Sequence, residues 1–349
     1  MLTGKKHFVK TTRVYSGIRA TGRLHLGNYF GAVKGMLALQ ETYDCIFSVV
    51  DLHTITVPYK PDTLQVSVRN IILDYLAAGL DPKKCSLEIQ SKVPQHTELA
   101  YLLSTIYPVS RLEDLPTYKE KKQQYPKYIN MGLLYYPILM AADVLLYKGE
   151  LVPVGIDQEP HLEVMREIAR KFNSMFGETF PEPQRFATEG EYVHSLTGKG
   201  KMSKSVEGSY INLTDDLNTI RTKVAKMPTD VGTGEVKSVN NTYQYFPTGQ
   251  NQEAFGTASF MGTVELIEGE GKRAELHRLY QSEEGVEYQK EKEELAQAIY
   301  QELKPFQEKR KEFLENPKLV DSIIEESLQK CNQMADETMR EVREKMGLV

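Results

Sequence analysis

Along the first two-thirds of the chain, short apolar runs alternate with longer stretches in which apolar residues recur every three or four positions. The short runs predict strands over His7–Tyr15, Cys45–Val50, Ser86–Val93, Leu151–Gly155 and Tyr192–Ser195. Cys45–Val50 reads C-I-F-S-V-V, an unbroken β-prone run of the kind buried on both faces of a parallel sheet. Helical periods fall between these runs. One extends from Gly27 to about Glu41 with Phe30, Val33 and Leu37 in step, and another over Pro61–Ala78 on Leu64, Val68, Ile71, Ile72 and Tyr75. Thr97–Tyr107 and Glu159–Phe172 are also helical. Met131–Tyr147 is the most apolar helix, and Pro137 inside it predicts a kink or a restart. This alternation predicts a doubly wound α/β domain with a parallel sheet.

After Ser205 the pattern changes. Asp215–Met227 predicts a helix, whereas Pro228–Gly262 is rich in Gly, Thr and Asn and has no clear period. From about Glu265 onward the chain reads as charged helix. Leu295, Ile299, Leu303, Phe306 and Phe313 form one apolar stripe, interrupted at Pro305. Leu319, Ile323, Ile324, Leu328, Met334, Met339, Val342 and Met346 form the next. These stripes predict the core of a small helical domain.

Composition bounds the function classes. The chain has 349 residues, 40% of them hydrophobic and 26% charged, as in ordinary soluble globular proteins. No run of about 18 apolar residues occurs, which argues against a membrane span. The first residues, MLTGKKHFVKTTR, lack the apolar core of a signal peptide. Cys45, Cys85 and Cys331 are far apart, without metal-ligand spacing, and read as reduced thiols of a cytoplasmic protein. The net charge of −5 argues against indiscriminate polyanion binding, but its distribution is uneven. Residues 1–60 carry eight Lys or Arg against three Asp or Glu, a local excess suited to a polyanionic ligand.

Two stretches carry the chemistry. Ser16–Gly31, S-G-I-R-A-T-G-R-L-H-L-G-N-Y-F-G, reads as a strand end, a glycine-bearing turn and a helix start. Free N–H groups and the positive dipole end at such a start suit a phosphate, and His25 and Asn28 add side-chain donors. Gly198–Ser205, G-K-G-K-M-S-K-S, is a loop with three lysines and two hydroxyls that can close over a triphosphate. Asp51 and His53 follow the second predicted strand, at the sheet edge where open α/β folds carry ligand residues.

Together these stretches resemble the two signatures of class I aminoacyl-tRNA synthetases, H-L-G-N being a variant of H-I-G-H with Asn28 at its last position. V-D-L-H-T-I-T-V, Y-P-I-L-M-A-A-D-V-L-L-Y, V-P-V-G-I-D-Q-E-P-H and L-K-P-F-Q-E-K-R narrow the resemblance to the bacterial tryptophanyl type. The likeness covers nearly the whole chain and is weakest across Pro228–Gly262. It implies a Rossmann-like catalytic domain over 1–205, with a helical insertion around 95–150 and the lysine loop at 198–205. A helical anticodon-binding domain over 206–349 would follow, its last helix packing back on the catalytic domain.

The implied reaction is ATP-dependent ligation of L-tryptophan to tRNA(Trp) through a tryptophanyl-adenylate, with Mg²⁺, by a cytoplasmic homodimer without membrane or DNA partners. The resemblance puts His25, Asn28, Lys119, Lys201 and Lys204 at the phosphates. It assigns Arg19, Gly27, Asn28, Gly155, Asp157, Gln158, Lys201, Met202, Ser203 and Lys204 to ATP binding. Asp143 becomes the acceptor for the indole N–H, with Tyr15, His53, Tyr136, Met140, Val152 and Val154 around the amino acid. Tyr136, Met140 and Asp143 share one helix face at steps of four and three. Arg19, Ala20 and Ile156 stand where relatives often carry Gln, Pro and Glu. Tyrosyl specificity on the same scaffold and a non-catalytic tryptophan- or RNA-binding paralogue are the alternatives.

Overall fold

A computed structural model of the chain describes residues 12–187, 192–204, 206–239, 242–250 and 252–349. Five parallel strands form the main sheet: β1 (Arg13–Ile18), β2 (Asp44–Val49), β3 (Cys85–Ile89), β4 (Leu151–Pro153) and β5 (Gln184–Phe186). Their order is β3-β2-β1-β4-β5, so the chain winds outward from β1 in one direction and then in the other. That is the doubly wound α/β topology, with its switch point between β1 and β4.

β1 runs three residues beyond the expected end at Tyr15, in register with β2 through Gly17↔Ser48 and Ile18↔Val49. A Cβ at Gly17 would lie 2.7 Å from Val50 Cγ1, so glycine is what lets β1 continue beside the end of β2. His7–Thr11 of the predicted strand lie outside the described residues, as does Ser205 of the lysine loop.

The fifth strand is Gln184–Phe186, not Tyr192–Ser195. It pairs only with β4, is short and partly exposed, and lies between Pro183 and a loop, so no apolar run marks it. Tyr192–Ser195 contributes one antiparallel bridge, His194 with Lys201. Pro137 interrupts nothing: the helix Met131–Leu146 is unbroken, with Leu133 buried before it and Ile138, Leu139, Ala141 and Ala142 after it. Pro305 likewise sits inside the continuous helix Tyr288–Glu315, beside buried Leu303 and Phe306. In both helices the apolar face on either side of the proline outweighs one lost backbone hydrogen bond.

The described residues divide into two compact units that a single cut after residue 205 does not separate. The first comprises 12–22, 36–187 and 313–349; the second comprises 23–35 and the described part of 192–312. Residues 23–35 join the second because Leu26 N–H donates to Ile211 O (3.0 Å) and Leu213 N–H to Leu24 O (3.1 Å). The helix Pro317–Met346 belongs to the first. Its Cys331, Ala335, Met339 and Val342 are buried in that unit's core, and Arg343 grips both carboxylate oxygens of Glu98 at 2.6 and 2.7 Å. Leu319, the expected head of that stripe, is exposed, and Cys331 and Ala335 take the buried face instead.

In the second unit the stretch expected to lack a period holds an antiparallel hairpin, β6 (Gly234–Val239) with β7 (Thr242–Pro247). Helices Leu217–Ala225, Phe255–Glu268 and Glu270–Tyr280 pack in the same unit. No described helix is long and apolar enough to cross a membrane.

Candidate active site

The first unit holds a cavity of about 410 Å³ at the carboxyl ends of its central strands, within the size range of small-molecule sites. Tyr15, Ser16 and Gly17 from β1 and Val152 and Val154 from β4 and the residues after it form its strand side. His53 comes from the short helix Asp51–Thr54 that follows β2. Tyr136, Met140 and Asp143 come from one face of Met131–Leu146, whose start is fixed by Asn130 Oδ1 accepting from Leu133 N–H at 3.0 Å. The lining is mostly apolar and aromatic.

Asp143 is the polar centre of this lining and is almost wholly buried. Its Oδ2 lies 2.8 Å from His53 Nε2, and its Oδ1 accepts from Gln90 Nε2 at 2.8 Å. Gln90 is oriented in turn by Leu52 N–H, which donates to Gln90 Oε1 at 3.1 Å. Burial alone would raise the Asp143 carboxyl. The hydrogen bond from His53 and the charge and contact of His96 outweigh it, holding the group well below the usual carboxylate range. Asp143 is therefore an ionised acceptor inside an apolar cavity. At another wall, Tyr136 OH and Thr117 Oγ1 lie 2.9 and 3.1 Å from Nε2 of buried His161.

The second unit assembles the other chemistry. His25 caps the helix that begins at Leu26: its Nδ1 accepts from Asn28 N–H and its own N–H donates to Asn28 Oδ1, both at 3.3 Å. Burial, with the charges of Lys204 and Lys201 behind it, lowers the His25 imidazole to about 4. The ring is thus neutral at pH 7, and because Nδ1 accepts, its proton sits on Nε2. The lysine loop folds against this helix start. Val193–Met202 closes as a narrow turn, with Ser195 N–H donating to Gly200 O and Met202 N–H to Val193 O, each at 2.9 Å. Gly198 and Gly200 take positive φ there, 85° and 73°. Buried Met202 presents its Sδ to Gly27 N–H at 3.3 Å, and a Cβ on Gly27 would come within 3.0 Å of Met202 Cβ.

The sequence pattern of the family described as tRNA synthetases class I (W and Y) matches residues 8–304. The tryptophan–tRNA ligase of Clostridium tetani is 37% identical over 340 residues, covering 96% of both chains. That of Caldanaerobacter subterraneus subsp. tengcongensis is 38% identical over 341 residues, covering 97% of this chain and 98% of the relative. The solved tryptophanyl-tRNA synthetase from Campylobacter jejuni, complexed with ADP and tryptophan, aligns with a TM-score of 0.82 at 30% identity. It covers 96% of this chain and all of its own. The chain belongs to the class I tryptophanyl-tRNA synthetases.

Within this synthetase, the residues expected around the amino acid converge: Tyr15, His53, Tyr136, Met140, Asp143, Val152 and Val154 all line the one cavity. Arg19 and Gln158, expected at ATP, line it too. Gly155 and Asp157 do not. Asp157 is exposed and accepts from Gln158 Nε2 at 2.6 Å. Lys119 is exposed and paired with Asp114 at 3.2 Å, while its helix Pro116–Gln124 offers Glu120 and Lys121 to the cavity. His25, Gly27, Asn28, Lys201, Met202, Ser203 and Lys204 all belong to the second unit.

Sequence reasoning missed Glu88, Gln90, His96 and His161, which hold the cavity's polar groups. A signal for two of them existed in C-S-L-E-I-Q, where an acid stands inside a buried strand and an amide directly follows it. Among the described residues no group of three or more His, Cys, Asp or Glu could hold a metal ion.

Proposed function

We propose that this chain activates L-tryptophan with ATP and transfers it to tRNA(Trp). The observation that carries the proposal is Asp143, a buried, ionised acceptor in an apolar cavity sized for a bicyclic ring. Indole is a large apolar body with one N–H donor and no acceptor, so a cavity with one such carboxylate suits it. A site built around that hydrogen bond rejects a side chain lacking it by more than shape alone would.

In the first half-reaction a tryptophan carboxylate oxygen attacks the α-phosphorus of ATP, and pyrophosphate leaves. A carboxylate is already a competent nucleophile, so no general base is needed, and the work is positioning and charge stabilisation. Neutral His25 can donate from Nε2 to a phosphate oxygen, and the positive dipole end of the helix that begins at Leu26 favours the same charge. Lys201 and Lys204, with Ser203, take the charge that develops on pyrophosphate. Mg²⁺, entering with the nucleotide, would offset part of the triphosphate charge beside Lys201 and Lys204. Arg19 and Gln158, facing the cavity, suit the polar end of the amino acid and the nucleotide. The terminal 2′-hydroxyl of the tRNA then attacks the adenylate carbonyl, and AMP leaves.

The finer assignments belong to the same reading. The enzyme works in the cytoplasm as a homodimer, and the helical region after residue 206 reads the anticodon. ATP–pyrophosphate exchange is the test. Exchange driven by tryptophan and not by tyrosine, followed by charging of tRNA(Trp), supports the proposal. Exchange driven by tyrosine alone sinks it, and tryptophan binding without exchange makes the chain a non-catalytic paralogue.

A further inference from the structure

The reaction above uses Asp143 but not the buried groups that hold it. His96, on the helix Gln95–Ser104, is wholly buried and is absent from the cavity lining. Its Nε2 lies 2.6 Å from Glu88 Oε1, and its Nδ1 approaches Asp143 Oδ1 at 2.7 Å, close but oblique for a hydrogen bond. Glu88 is wholly buried in β3 and also accepts from Tyr147 OH and, at 3.1 Å, from Tyr15 OH. One imidazole thus stands between two buried carboxylates, each of its nitrogens against an oxygen. A neutral ring would turn a bare nitrogen lone pair on one carboxylate, whereas a doubly protonated ring offers an N–H to each. Two buried carboxylates without a cation between them would carry a large desolvation and repulsion penalty.

We propose that His96 is a positioning residue that, as an imidazolium bridging Glu88 and Asp143, keeps Asp143 an acceptor-only carboxylate and so sets the preference for a ring N–H. This rests on the reading of Asp143 as the indole acceptor and deepens it. Without the bridging charge, one carboxylate takes a proton. An Asp143 carboxylic acid would then present an O–H where the indole N–H has to donate. The electrostatics agree with the geometry. Burial lowers the His96 ring, but Glu88 and Asp143 outweigh it and raise the group to about 10. The remaining groups facing Asp143 are His53 and the neutral amide of Gln90. Neither touches Glu88, so His96 is the link between the two acids.

The test compares tryptophan with β-(3-benzothienyl)alanine, in which sulfur replaces the indole N–H, in ATP–pyrophosphate exchange. The readout is the ratio of their kcat/KM values, which general loss of structure lowers for both and leaves in place. His96→Gln is expected to shrink the wild-type preference for tryptophan by about tenfold or more. Glu88→Gln, which disturbs the same buried cluster but keeps the His96–Asp143 pair, is expected to retain it. A folded His96→Gln enzyme with the wild-type ratio overturns the proposal. Asp143→Ala, which leaves no acceptor oxygen at this position, separates the two readings. If it abolishes the preference while His96→Gln does not, the acceptor stands and the role of His96 falls. If it also leaves the preference intact, Asp143 is not the acceptor and both fall. Should His96→Gln not fold, nitrogen NMR of the histidine-labelled wild-type enzyme at pH 7.5 decides. Two protonated ring nitrogens at His96 support the proposal, and a singly protonated ring overturns it.

Discussion

His25 and Asn28 cap one another: the ring nitrogen of the first accepts from the backbone of the second, and the amide oxygen of the second accepts from the backbone of the first. This reciprocal bond explains how Asn can replace the final His of the signature tetrapeptide. Position 28 here supplies an oxygen to a helix start, which a carboxamide does without any titratable proton. Asn28→Ala should therefore cost about 1 kcal/mol of stability, typical of a lost cap, read as a shifted urea midpoint with unchanged slope. Adenylate formation should fall with it, because the unlocked ring no longer holds its proton on Nε2.

The same ring makes a pH prediction. His25 sits at about 4 in the folded chain against 6.5 for a free imidazole. Between those values the unfolded state binds the extra proton, so protonation favours unfolding. The contribution of His25 is fully present above about pH 6.5 and is lost as pH falls towards 4. Thermal melts at pH 7.5 and 5 should show a steeper loss in the wild type than in His25→Gln. Equal losses would mean that other groups set the acid limit.

Asp143→Ala removes the acceptor and leaves buried His96, His53 and Gln90 without their shared partner. Tryptophan-dependent kcat/KM should fall by about 1–3 kcal/mol in transition-state terms, the cost of one unmade buried hydrogen bond. Stability should fall further, by about 3–5 kcal/mol, because a buried ion pair is broken from one side. An unchanged kcat/KM in protein shown to be folded would remove Asp143 from the recognition of indole.

Lys204→Ala should slow adenylate formation much more than it weakens tryptophan binding, since its charge is needed only as pyrophosphate departs. Single-turnover formation of the adenylate, set beside equilibrium dialysis of tryptophan, separates the two effects. Losses of equal size would make the loop structural.

The sheet was legible because β1 to β4 are marked by buried apolar runs, and the lining of the candidate cavity because the family resemblance named its residues, three of which share one helix face. β5 was not legible, since a short edge strand with one partner needs no apolar run. Neither was the continuity of the helices through Pro137 and Pro305, where burial on both sides overrides a local rule. The polar support of the site stayed hidden for a different reason. Glu88, His96 and Asp143 are 55 residues apart at most in sequence, and nothing in their spacing says that one ring will stand between two acids. Only the fold, which packs the helices Gln95–Ser104 and Met131–Leu146 together beside the strand that carries Glu88, brings them close.

The helix Pro317–Met346 seals the core of the first unit, although most of that unit precedes the second in the chain. A ribosome therefore completes the sheet and then makes the greater part of the second unit before it makes the helix that covers the core of the first. Until then the nascent sheet layer carries an uncovered apolar surface, the state in which chains are most open to aggregation or chaperone capture. Arg343, reaching both oxygens of Glu98 from the later turns of this helix, acts as the latch that holds the cover in place.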